Sequence, residues 1–115
     1  MQVAGLGPMP KSTRQKPPTT LAEHAAGIER LLHILGYDHL RARVVRNAIL
    51  VEAGPATDPE VRLRFRPIER DNWRVDVRAH TNRWEPIPFV GPRGNMVAWI
   101  HQDFTWLLAP HPQPG

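Results

Sequence analysis

Residues 40–53 read LRARVVRNAILVEA. As one strand the run is over-long, and its apolar–polar parity breaks at Arg46-Asn47. A two-residue turn there mends the parity, because asparagine tolerates the positive φ of tight hairpin turns. With that turn Val44 faces Ile49, Ala42 faces Val51 and Leu40 faces Ala53, all apolar on one side. On the other side Arg43 faces Leu50, and Arg41 faces Glu52 as an opposite-charge pair. A one-residue slip would scatter both sets, so the pattern selects a single register.

Downstream, Gly54-Pro55-Ala56-Thr57-Asp58-Pro59 is a loop. Val61, Leu63 and Phe65 then alternate with Arg62, Arg64 and Arg66, the signature of a half-buried strand. Pro67 confines the end of that strand to an edge or a bend. A turn at Arg70-Asp71-Asn72 leads to Trp73, Val75, Val77 and Ala79, alternating with Arg74, Asp76, Arg78 and His80. With Asn72 in the left-handed position of a three-residue loop, Phe65 pairs with Val77 and Arg66 with Asp76. Phe65 and Trp73 are then core residues. Arg83-Trp84-Glu85 form a short extended piece, after which Pro86 and Pro88 end sheet pairing. Gly91-Pro92-Arg93-Gly94 is a turn, and Asn95 caps a last helix from 96 to about 108 with Met96, Ile100, Phe104, Leu107 and Leu108 inward.

Upstream, Thr20-Leu21-Ala22-Glu23 has the form of a capping box. Leu21, Ala25, Ile28, Leu31, Leu32 and Leu35 follow at helical spacing, and Gly36 supplies a left-handed stop. The order is α-β-β-β-β-α, an α+β domain in which an antiparallel meander carries both helices on one face. It occupies residues 19–109. The proline-rich ends, 1–18 and 110–115, bury too little to offset the entropy of ordering them and read as disordered tails.

Several of these features together resemble an uncharacterised bacterial family, domain of unknown function 3024, over about residues 40 to 108. The likeness is carried by the N-terminal helix, the hairpin at 40–53, and the strand Trp73-Arg74-Val75 after a turn. It continues in Trp84-Glu85-Pro86-Ile87-Pro88 and in a last helix with a late aspartate, Asp103. The chain departs from the family at Gly54-Pro55-Ala56, where an Arg-Pro and an aromatic are usual, and at Leu107-Leu108-Ala109-Pro110, where the family has an aromatic-glycine tail. The resemblance implies the fold. The family has no assigned activity, so it transfers no functional residue.

The chain lacks cysteine, which excludes disulfides, thiolate metal sites and a cysteine nucleophile. It contains no apolar run of membrane-spanning length and no signal-peptide pattern, so a cytoplasmic location and no membrane partner are expected. The six histidines form no chelating pair: His24 and His33 lie half a revolution out of phase on one helix, and His101 and Asp103 point different ways. Glu52 and Asp76 are matched with arginines, which suits ion pairs rather than acid–base chemistry. The only serine, Ser12, stands in the leader. No metal, cofactor or catalytic group is expected, and a non-enzymatic accessory domain is the favoured reading.

The net charge is +4, with thirteen arginines against two lysines. In the register above Arg41, Arg43, Arg62, Arg64, Arg66, Arg74 and Arg78 all point away from the core, opposed only by Glu52 and Asp76, and the face carries no aromatic ring. Two readings compete. One is a solvated face in which codon bias has favoured arginine; the other is contact with nucleic-acid backbone, weakly sequence-specific and helped by Lys11, Arg14 and Lys16. Trp99 and Trp106, seven apart, share a helical stripe that is either core or a docking strip for a protein partner or a homodimer, with an edge strand alongside.

Overall fold

The structure, a computed structural model, describes residues 19–78 and 82–110. The expectations for residues 1–18 and 111–115, and for Ala79 and His80, lie outside the described residues. The first helix, α1 (Leu21–Ile34), opens on the capping box. The Glu23 N–H donates to Thr20 Oγ1 at 3.1 Å, and the Thr20 N–H donates to Glu23 Oε1 at 2.9 Å. At the other end Gly36 takes φ 101°. The Tyr37 N–H donates to the Leu32 carbonyl at 2.9 Å and the Gly36 N–H to that of His33 at 3.0 Å, the paired bonds of a Schellman cap. Leu35, expected inward, is instead the C-cap residue and is exposed, because the left-handed turn begins directly after it.

Five strands follow: β1 (Arg41–Val45), β2 (Ala48–Ala53), β3 (Glu60–Pro67), β4 (Asn72–Arg78) and β5 (Trp84–Pro92). They form one antiparallel meander in chain order. The β1–β2 register has Arg41 opposite Glu52, Ala42 opposite Val51 and Val44 opposite Ile49, as the parity of the sequence requires. The positive φ of the turn belongs to Arg46, at 59°, and not to Asn47.

Three expectations about the sheet need correction. The β3–β4 pairing sets Phe65 opposite Val75 and Arg64 opposite Asp76, two residues from the expected register. The turn is longer than three residues: Arg70, not Asn72, is left-handed, at φ 55°, and the Asn72 N–H closes it on the Glu69 carbonyl. A two-residue slip keeps every side chain on its own face, so alternation cannot choose between the two registers.

The second correction is β5 itself, which makes the sheet five-stranded. Pro86, Pro88 and Pro92 do not end the pairing. All three share one parity with the exposed Val90, while Ile87 and Gly91 are buried. Alternate backbone N–H groups of an edge strand point to solvent, so prolines of one parity leave the ladder intact. The third is a β-bulge: Val51 pairs with Leu63 and Glu52 with Val61, leaving Arg62 as the extra residue.

The C-terminal helix begins earlier than Asn95. α2 (Arg93–Asp103) starts directly after Pro92, without a side-chain cap, so Gly91-Pro92-Arg93-Gly94 is a strand-to-helix junction rather than a separate turn. It breaks at Phe104 (φ −131°, ψ 40°) before a last turn, α3 (Thr105–Leu108). Buried residues of α1, α2 and α3 join Ile49, Val51, Leu63, Phe65, Trp73 and Val75 in one core, so the helices cover one face of the sheet. Phe65 and Trp73, 1% and 2% exposed, meet edge to face at its centre. Among the described residues the opposite face carries no helix.

Candidate nucleic-acid interface

The uncovered face is built from Val61, Arg64 and Arg66 of β3, the even-numbered side chains of β4 and β5, and their neighbours on β1 and β2. Asp76 and Glu52 stand in it almost fully buried. Each lies beneath two guanidinium groups. Asp76 accepts from Arg64 Nε at 2.9 Å, from Arg66 Nε at 2.6 Å and from the terminal nitrogen of Arg66 at 2.9 Å. Glu52 accepts from Arg43 Nε at 3.0 Å and has Arg41 3.6 Å away. Burial pushes the Asp76 carboxyl up, but the hydrogen bonds and charges of Arg66 and Arg64 outweigh it and hold the group below its usual range.

The carboxylates therefore fix the arginines largely through Nε. Among the described residues the terminal nitrogens of Arg64 and Arg43 have no other hydrogen-bond partner and remain available to a ligand. Arg74 sits directly opposite Arg66 with no acid between them, a cross-strand arrangement of like charges that costs energy until an anion screens it. Arg78 follows on β4. Arg41, Arg43, Arg64, Arg66, Arg74 and Arg78 thus share the face with two carboxylates, an excess of four positive charges.

Arg62 does not belong to this set. The bulge turns its side chain to the helix-bearing side, where it is 3% exposed. One terminal nitrogen donates to the carbonyls of Leu107 (2.7 Å) and Ala109 (2.8 Å), and the other to Glu60 (3.0 Å) and the Pro110 carbonyl (3.2 Å). Arg62 closes the end of α3; it presents nothing to a ligand.

The expectation that the face lacks an aromatic is also corrected. Because β5 pairs through Trp84, with Arg78 as its partner residue, the indole lies among the arginines. The guanidinium carbons of Arg64 and Arg78 are 4.7 and 4.9 Å from its ring centre, close enough for cation–π attraction. Beside it is an open depression of about 460 Å³ lined by Leu50, Val61, Trp84, Arg64 and the β1–β2 turn residues Arg46 and Asn47. Trp84, Arg46, Leu50 and Val61 are the site residues that the sequence pattern missed. The shared parity of Pro86, Pro88 and Pro92 was the available signal for β5 and hence for Trp84.

Trp99 and Trp106 do not share a stripe. Trp99 packs against Phe89 with ring centres 3.8 Å apart and planes tilted by 58°, whereas Trp106 lies beyond the break at Phe104 and is 60% exposed. Three histidines are engaged in hydrogen bonds within the fold: His33 donates from Nε2 to the Leu40 carbonyl, His39 from Nε2 to that of Leu108, and His101 Nδ1 bonds the Tyr37 hydroxyl. The fourth, His24, lies edge-on to Trp73 and accepts at Nδ1 from Arg93 at 2.7 Å. Burial and the Arg93 charge lower its pKa. Among the described residues no three His, Asp or Glu side chains are placed to hold a metal ion. No described helix is long and apolar enough to cross a membrane.

No family model matches this chain, and neither a curated protein nor a solved structure is significantly similar to it.

Proposed function

We propose that the uncovered sheet face binds the phosphate backbone of nucleic acid and that the protein is a non-enzymatic accessory domain. The observation that carries this reading is the arrangement of charge. Two buried carboxylates hold four arginines from beneath, Arg74 and Arg78 have no acid of their own among the described residues, and the terminal nitrogens of Arg43 and Arg64 have no hydrogen-bond partner among those residues. Randomly placed solvated arginines would lack such fixed geometry. Guanidinium forks match phosphate oxygens, and side chains already immobilised lose less entropy on binding. Backbone contact of this kind is weakly sequence-specific.

A protein partner or a second copy docking at the C-terminal segment is the alternative, favoured by the exposed Trp106. Strand addition is an unattractive route for it. Glu29 of α1 accepts from the outward Ala42 N–H of β1 at 2.8 Å, and β5 carries its prolines, so both sheet edges are blunted.

Fluorescence anisotropy at low salt tests the proposal with labelled duplex and single-stranded DNA and RNA. Binding by the parent protein, weakened for every sequence alike in an Arg74→Gln/Arg78→Gln variant, is expected. No binding to any of these probes would overturn the proposal in favour of the protein partner.

A further inference from the structure

We infer that the depression beside Trp84 accepts an unpaired base, so that the face takes single-stranded rather than duplex nucleic acid. This deepens the reading of the arginine face and depends on it. A face that only tracked phosphates would need charge alone, yet this one adds an indole, two apolar side chains and an amide at one place. Leu50, Val61 and Trp84 supply apolar and aromatic surface, and Asn47 at the turn can both donate to and accept from a base edge. Arg64 and Arg78 sit against the same ring, where their planes can also stack on a base. The depression, about 460 Å³, lies in the range of roughly 300–1,000 Å³ found for small-molecule sites.

The bases of a duplex are covered on both π faces by their neighbours and have none to offer the ring. An unpaired base has an open face, and stacking on an aromatic ring tolerates any base. Arg46, Arg66 and Arg78 line the same depression, so phosphates flanking the seated base meet cations. The chemistry is common to single-stranded DNA and RNA.

The test compares a deoxyoligoadenylate, the riboadenylate, an abasic strand of equal length, and a duplex, all at one low salt concentration. Base stacking should make the adenylates bind about 5- to 150-fold tighter than the abasic strand, whose phosphates are the same. Trp84→Leu should abolish that difference and Trp84→Phe should retain most of it. Equal binding of adenylate and abasic strands, or tighter binding of the duplex, would overturn this inference while leaving phosphate contact standing. Absence of binding to every probe would remove both.

Discussion

Arg62 and Arg64 stand two residues apart in one alternating run, and the structure gives them unrelated tasks. The sequence offers no cue to this, because the bulge at Arg62 is marked by neither glycine nor proline and the residue type is the same on both sides of it. Arg62→Gln strips donors from the carbonyls of Leu107, Ala109 and Pro110, and leaving a buried acceptor unpaired costs about 1–3 kcal/mol. Urea denaturation should show a loss of that size, with affinity for nucleic acid unchanged. A variant of undiminished stability that binds more weakly would place Arg62 on the ligand face after all. Asp76 teaches the opposite lesson. Its ion pair with Arg66 was legible although the register was misplaced by two residues, since long guanidinium side chains reach a carboxylate diagonally as well as directly.

At the scale of elements, α1 and the β1–β2 hairpin were legible because each carries redundant local signals: a reciprocal cap and a glycine stop for the helix, and two-sided pairing for the hairpin. The strand β5 and the break at Phe104 were not. Prolines usually argue against a strand, and only their placement on an edge with one parity makes them harmless. The junction from β5 into α2 has a measurable property of its own. Arg93, the first residue of α2, lies across α1 at Gly27, where an added Cβ would fall 2.6 Å from the guanidinium, and reaches His24 Nδ1. That hydrogen bond requires a neutral imidazole. Arg93, Asp71 and Glu23 are the charges that act on His24, and burial followed by the Arg93 charge holds its pKa below 6.5. The unfolded chain therefore binds the proton more readily than the folded one. The contribution of His24 is complete above about pH 6.5 and is lost as the pH falls toward the folded value. Thermal melts between about pH 7.5 and 5 should show stability falling with acidity, and His24→Gln, whose amide oxygen can still accept from Arg93, should flatten the profile. Superimposable profiles for parent and variant would contradict this account of the junction.

For the molecule as a whole, one face of the sheet is closed by helices and the other is left to charged side chains, a division set chiefly by the alternation of apolar and charged residues along β3 and β4. The arginine face was legible in outline from that alternation. Its organisation was not, because the burial of Glu52 and Asp76 beneath paired guanidiniums, and the arrival of Trp84 from β5, depend on contacts between strands that a linear pattern does not encode. If these arginines meet phosphates, as proposed, affinity must depend on salt in a way their removal changes. Each neutralised phosphate releases condensed counterions, so log affinity should fall against log salt with a slope near −0.7 per contact for single strands and about −0.9 for duplex DNA. Arg64→Gln/Arg78→Gln should flatten the slope by roughly one to two units, whereas Arg62→Gln should leave it unchanged. A slope that is the same in the parent and the double variant would contradict the claim.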